Sequence, residues 1–456
     1  MAGNVLVEPL RLSPVGLSVT SYATLVSADG DLEIFWGGDG PDVPQLYHAK
    51  LNSNGQVVSI STPLEQPGQK PAINMDQEGM IHVVWLDEPE FGEFKVYYAE
   101  FSPTEETLGQ PAMLSAFPVP LGMVAHRPDV ALVGNNAIVF WSLERRGGGM
   151  NPPSARSLYV MFPLGHPEAV TAPIELIIPN ENRPSYARTE SLFGIDELAT
   201  GQSGSPSTFV YMPAVVQGQQ NEGAILFSVQ LRGRTKRWIQ PIVTVWSEHA
   251  YRGYQVATQT RTTSIRNRVA RDEQNALYLV WIDTAGFGAY DVYYASTAPG
   301  IQQELNRLTG WDVLSGFYDV LWGIAQAAGF FPLAVAWSLA SVMIIAAYLF
   351  WKAQGRLDHP GARLILIIAI AAYILSKYVF RPNWAAALPL PRYMPELLAA
   401  LITYLTPLVV SALAALITWF YTHRTERTAI LAAFGVFVAS DALLTLLIYV
   451  PAMLAE

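Results

Sequence analysis

Five acids stand two or three residues beyond five tryptophans: Asp39 after Trp36, Asp87 after Trp85, Glu144 after Trp141, Glu248 after Trp246 and Asp283 after Trp281. An acid at that offset can accept backbone N–H bonds in its own turn. It can also join its counterparts in a negative rim that takes a cation, a basic peptide or a polyhydroxylated ligand such as a glycan. Arg145 and Arg146, followed by Gly147, Gly148 and Gly149, lie in the long loop after Trp141 and make it a candidate for partner contact as well as solvated slack. Two more charges, Lys377 and Asp441, interrupt apolar runs in the second half. The seven histidines form no HExxH pair, and cysteine is absent. Disulfides, thiolate metal sites and a cysteine nucleophile are therefore excluded, and no cofactor or metal site is expected. The stretch "GQSGSPS" fails the Gly-x-Ser-x-Gly pattern at Ser205 and reads as a Gly/Ser-rich loop.

The acids need elements to position them, and the tryptophans show which. Trp36 and Trp85 are 49 residues apart; Trp36 and Trp281 are 245 apart, five such steps. "DQEGMIHVVWLDEPEFGEFKVYYAEF" (Asp76 to Phe101) is nearly rewritten as "DEQNALYLVWIDTAGFGAYDVYYAST" (Asp272 to Thr297). A period near 50 built of short strands predicts a β-propeller. Each unit reads as four strands, apolar on both faces because blades pack between neighbours. The first strand is "PAINMD", the second carries the tryptophan, the third is "KVYYAEF" and the fourth "PAMLS". In the last unit the fourth falls on "ELNRLTG", from Glu304. Trp246 is out of register, and "EGAILFSVQL" (Glu222 to Leu231) takes the second-strand place there. The count is about six four-stranded blades over residues 1–309, with one degenerate blade between Phe162 and Thr208, and "VEPLRLS" (Val7 to Ser13) as a strand that closes the ring. The two matched sentences are then blades two and six.

These repeats resemble the sialidase-like six-bladed propellers of bacterial surface proteins over roughly residues 15–309. The resemblance implies a propeller fold and, as the alternative function, a membrane-tethered glycan-active enzyme. The sialidase Asp-box, Ser-x-Asp-x-Gly-x-Thr-Trp, is not matched: Asp76 and Gly79 precede Trp85 at wider spacing and the serine is missing. No catalytic residue is carried over.

Hydrophobic residues make up 51% of the 456-residue chain and charged residues 14%, and none of Asp, Glu, Lys or Arg occurs from Val320 to Trp351. The formal charge of −10 leaves no general basic surface, so nucleic acid is not an expected partner. Four apolar runs follow, about Phe331 to Trp351, Leu364 to Phe380, Leu397 to Tyr421 and Thr428 to Met453. Each is near the ~20 residues that cross a bilayer. They predict an all-α transmembrane domain over 330–456, preceded by an interfacial linker helix over 310–329. Lys352, Arg356, Arg363, Arg424 and Arg427 flank the first and third connections, against Arg381 and Arg392 in the second. That bias puts the propeller on the extracytoplasmic side of a prokaryotic plasma membrane. The N-terminus lacks a secretory signal as written, so an export signal removed or omitted is expected. Lys377 lies 14 residues after Arg363, and Asp441 lies 14 after Arg427. Both should rise to the same depth, about 20 Å at ~1.5 Å per residue, and form a buried ion pair.

The expected function is a membrane-anchored binding or scaffolding subunit in contact with membrane lipid and with protein partners in a larger membrane complex. The alternatives are the glycan-active enzyme and a sensor or transport component that uses Asp441.

Overall fold

The computed structural model describes residues 10–39, 44–90, 92–145, 147, 153–181, 184, 186–200, 205–232, 237–248, 250–258, 260, 262–284, 288–305, 307, 310–352, 354–379, 395–425 and 428–454. It divides into two compact units, Met1–Asn306 and Arg307–Glu456.

The first unit is a β-propeller of five blades. Blade one is β1 (Val19–Val26), β2 (Leu32–Asp39), β3 (Pro44–Leu51) and β4 (Val57–Pro67), paired in that order. Blade two is β5 (Gln69–Met75), β6 (Ile81–Glu90), β7 (Glu93–Ser102) and, beyond the short β8 (Thr107–Leu108), β9 (Ala112–Pro118). In blade three, β10 (Met123–Ala125) and β11 (Asp129–Val133) share the inner edge of β12 (Asn136–Arg145), followed by β13 (Ser154–Pro163) and the short β14 (Ile174–Glu175). The hairpin of β15 (Ala187–Leu192) and β16 (Ile195–Leu198) precedes blade four: β17 (Val210–Val215), β18 (Glu222–Arg232), β19 (Arg237–Ser247) and β20 (Ala250–Val256). Blade five has three strands, β21 (Ser264–Arg271), β22 (Leu277–Thr284) and β23 (Tyr290–Ser296), and then α1 (Pro299–Leu305).

The count of six is corrected to five. The stretch read as a degenerate blade carries Pro163, Pro167, Pro173, Pro179 and Pro184. Proline cannot donate to a strand ladder, so among the described residues no four-stranded sheet forms there. The hairpin β15–β16 instead extends blade four at its outer edge, where Ala199 and Tyr254 exchange backbone bonds of 2.8 and 2.9 Å. Its Phe193, Ile195 and Leu198 are buried with Leu277, Leu279 and Trp281 of blade five. Where the last fourth strand is expected, α1 takes Glu304 and Leu305, the start of "ELNRLTG", as helix. Residues 10–13 are not strand, and Val7 to Pro9 lie outside the described residues.

The matched sentences belong to blades two and five, and the match is structural. Asp76 Oδ1 accepts the backbone N–H of Glu78 and Met80; Asp272 Oδ1 accepts those of Gln274 and Ala276. Gly92 and Gly288 turn their hairpins at φ of 82° and 75°, where a side chain is strained. Trp85 stacks on its cross-strand partner Tyr97, as Trp281 does on Tyr293 and Trp36 on Tyr47. Each pair adds about 0.5–1.5 kcal/mol to the area it buries. In blade four the second strand is β18, and Trp246 sits on the third, β19.

The second unit is helical: α2 (Gly310–Ala327), α3 (Phe331–Lys352), α4 (Pro360–Val379), α5 (Glu396–Arg424) and α6 (Ile430–Leu454). Among the described residues four segments are long and apolar enough to cross a membrane: Ala334–Lys352, Pro360–Val379, Ala400–Arg424 and Ile430–Tyr449. Pro360 opens α4 three residues before the arginine that bounded the expected run; at a first helical position its missing N–H costs nothing. Small residues let the helices approach, and Ala334, Ala362, Ala369, Ala414, Ala433 and Ala442 are buried between them. The expected interfacial helix, α2, packs on α6 and leaves Phe317, Tyr318 and Trp322 exposed.

Candidate functional site

The innermost strands of all five blades surround an axial pocket of about 320 Å³. Tyr22, Ala23 and Thr24 come from β1, Ala72 and Ile73 from β5, Asp129 from β11, Ala214 and Val215 from β17, and Arg268 and Val269 from β21. Arg127, just before β11, and Gln217, just after β17, complete the wall.

The register explains why the polar groups meet. In four blades one inner-strand residue pairs with the residue before the second-strand tryptophan: Ala23 with Phe35, Ala72 with Val84, Asp129 with Phe140, Arg268 with Val280. These four positions are equivalent by repeat. Two blades put alanine there; blades three and five put a carboxylate and a guanidinium. Side chains alternate across a strand, so a position equivalent in the repeat points equivalently in the ring.

Asp129 is 6% exposed. Its Oδ1 accepts the Val130 N–H at 3.1 Å. Burial pushes its carboxyl up to about 6, against the opposing pull of Arg127, the Val130 and Val215 N–H groups and Arg268. A carboxyl balanced near 6 is present in both forms close to neutral pH, which suits proton transfer. Arg127 Nη1 donates to the Tyr22 carbonyl oxygen at 3.3 Å, linking blade three to blade one. The Tyr22 side chain is exposed at the pocket.

Asn74 anchors the inner strands. Its Nδ2 donates to the carbonyl oxygens of Val130 and Val216 at 3.0 and 3.3 Å, and its Oδ1 accepts the N–H of Gly218 at 2.6 Å and of Met75 at 2.9 Å. Blades two, three and four are thereby pinned by one fully used amide. Gln217 Nε2 adds a bond to the Ile73 carbonyl oxygen at 3.3 Å.

Asp87, Glu144, Glu248 and Asp283 do not line this pocket. Asp87 faces Lys95 across the β6–β7 ladder, and burial raises its carboxyl above the ordinary range. Glu144 Oε2 lies 2.9 Å from His126 Nε2. Asp283 is buried and accepts from Thr262 Oγ1 at 2.8 Å. Glu248 leaves the set: it packs against Gly134 and accepts the Asn135 N–H at 3.3 Å, at the opposite end of the blades. The reason is its strand, because β19 runs antiparallel to the second strands that carry the other acids. Asp39 ends β2, with its side chain outside the described residues, as is all of Arg146. Arg145 ends β12, exposed, in register with Met123 and Ser154. Among the described residues no group of three His, Cys, Asp or Glu side chains could hold a metal ion.

In the helical unit the structure brings Lys377 and Asp441 together, Nζ to Oδ2 at 2.8 Å. Tyr373 donates to the same oxygen at 3.0 Å, and Ser411 of α5 donates to Oδ1 at 2.7 Å. Lys377 also donates to Thr445 Oγ1 at 2.8 Å. Asp441 is 0% exposed. A buried charge with both oxygens satisfied ties α4, α5 and α6 together.

The pocket groups carry a signal in the sequence. "RPDVALV" and "NRVARD" align as first strands, and first strands line the axis. Charged residues at matched offsets on them mark the pocket better than acids in outer turns.

No family model matches the sequence. No curated protein matches it either. Among solved structures, an α-L-arabinofuranosidase from Fusarium graminearum with an iminosugar inhibitor is similar over 60% of this chain and 80% of its own, at 10% identity and TM-score 0.36. An endo-arabinase from Bacteroides thetaiotaomicron is similar over 60% and 92%, at 10% identity and TM-score 0.33. A PL25-family ulvan lyase is similar over 59% and 68%, at 14% identity and TM-score 0.33. At these values the likeness carries no argument about what this chain does.

Proposed function

We infer that the protein is a membrane-anchored binding subunit whose axial pocket takes an anionic, hydroxyl-rich ligand, of which an acidic glycan is the type. One observation carries this: Arg127 and Arg268, from blades three and five, flank one pocket with room for about one sugar ring. Guanidinium groups suit a carboxylate or sulfate because their fork matches it in two hydrogen bonds. Tyr22, Thr24 and Gln217 supply polar groups for hydroxyls. The helices favour a membrane anchor, and the basic residues Lys352, Arg356, Arg363 and Arg424 favour a cytoplasmic position for the α3–α4 and α5–α6 connections. The chain enters α3 from the other end, which supports an extracytoplasmic propeller. Protein partners in a larger membrane assembly remain part of the proposal, with the acid-bearing turns and Arg145 as their contact surface.

A second reading is a glycan-active enzyme with Asp129 as the proton donor, favoured by the rise of its carboxyl to about 6. The test is a screen of the purified full chain against immobilised acidic and neutral glycans, beside Arg268→Gln. Retention on acidic glycans that the variant loses supports binding. Release of shortened glycan, lost in Asp129→Asn, favours the enzyme. Equal retention on neutral glycans by both proteins overturns the proposal.

A further inference from the structure

A second cavity lies within the helical unit, a groove of about 510 Å³ between α4 and α5. Its polarity changes along its length. On α4 the lining begins with Arg363 in the first turn and continues inward with Ile367 and Ile370. On α5 it ends with Thr422 and His423 in the last turns, with Ala415 two turns deeper. From Arg363 to Ile370 the helix rises about 10 Å at ~1.5 Å per residue. One end is therefore cationic and hydroxyl-rich, and the other is hydrocarbon.

We propose that this groove binds an anionic phospholipid, with the headgroup at Arg363 and His423 and an acyl chain along Ile367, Ile370 and Ala415. Three observations carry it beyond a generic gap between helices. Arg363 Nε donates to the Leu357 carbonyl oxygen at 2.7 Å, which fixes the guanidinium at the groove mouth. The His423 ring stacks on Trp419, centroids 5.4 Å apart, so the imidazole is also held. The two basic connections are joined: Leu357 N–H donates to the Thr428 carbonyl oxygen at 3.1 Å and Ile430 N–H to that of Gly355 at 2.8 Å. Both connections thus lie at one end of the bundle, where anionic headgroups of the cytoplasmic leaflet are found. Asp358 also lines the groove, and its charge is met by Arg356 at 3.5 Å. A water-soluble anion would satisfy the mouth and leave the apolar inner half uncovered; a lipid matches both.

The inference rests on the membrane reading of the helices. That reading fails separately, if the full chain stays soluble without detergent after alkaline extraction. The binding test is native mass spectrometry of the full chain in mild detergent, titrated with equal phosphatidylglycerol and phosphatidylcholine. The expected result is one phosphatidylglycerol retained with about tenfold preference, falling to about twofold in Arg363→Gln. Arg363→Lys keeps most of the preference, and Lys352→Gln, basic but outside the groove, keeps all of it. Four results overturn the proposal: no preference in the unaltered chain, full preference in a folded Arg363→Gln, equal loss in Lys352→Gln, or displacement of the lipid by inorganic phosphate.

Discussion

Replacing Asp129 by asparagine should stabilise the propeller at neutral pH and not at acid pH. The folded protein holds this carboxyl at about 6, against 3.8 for the free group. Two units correspond to about 3 kcal/mol, because each is 1.36 kcal/mol of difference between protonation states. The folded state binds the proton more tightly, so the ionised carboxylate opposes folding. The resulting destabilisation is absent below about pH 4, grows between 4 and 6 and is complete above 6. Asparagine removes the charge but turns an N–H toward one of the backbone N–H groups that the carboxylate accepts, at a cost of about 1 kcal/mol. The net gain at pH 7.5 is about 2 kcal/mol, a rise in melting temperature of about 3 °C for a unit of this size. At pH 4 the gain is gone and the variant is slightly weaker. The assay is tryptophan-fluorescence melting of purified full chain and variant at both pH values. Reading the difference between the two proteins cancels opposing groups such as His82, whose imidazole burial lowers. A variant less stable at pH 7.5, or one with the same difference at both pH values, would refute the reasoning.

Other expectations follow from the packing. Lys377→Ala strands a buried Asp441 carboxylate and should cost about 3–5 kcal/mol in detergent unfolding, while Lys377→Met with Asp441→Leu should recover most of it. Equal loss in the single and double variants would sink that assignment. At Gly68 an added Cβ would run into the Trp85 ring, which is buried and whose Nε1 donates to the Pro67 carbonyl oxygen at 3.1 Å. Gly68→Ala should therefore cost at least about 2 kcal/mol in the propeller melt, whereas alanine at the open Gly300 should change little. Asn74→Ala frees two carbonyl oxygens and two N–H groups beneath the pocket, and hydrogen exchange at Met75 and Gly218, whose N–H groups it accepts, should accelerate.

Repetition was the most legible feature of the sequence. The Trp and Tyr-Tyr-Ala patterns are cross-strand stacks, and Asp76 and Asp272 make the same turn, so a copied physical contact leaves a copied string. The blade count was less legible. Spacing arithmetic measures chain length, and the residues between blades three and four spend a blade's length on a proline-punctuated edge hairpin. The five acids were visible because they recur beside tryptophan, yet recurrence marked turns and ladders. Asp129 and Arg268 meet in the pocket because blades three and five differ from one and two at an equivalent position, and Arg127 joins them from two residues before β11. That information lies in the departure from the repeat. Lys377 and Asp441 were legible as a pair because helix rise alone sets depth; Ser411 was not, since nothing in spacing says which face α5 turns to them.

The most direct test is calorimetric binding of a uronate-containing disaccharide to the full chain, Arg127→Gln and Arg268→Gln at pH 5 and pH 7.5. The account predicts binding that weakens about tenfold in each variant, as a lost charged hydrogen bond implies. It also predicts tighter binding at pH 5, where Asp129 sheds the negative charge that opposes an anion. Equal affinity in all three proteins, or binding that strengthens from pH 5 to 7.5, would contradict it.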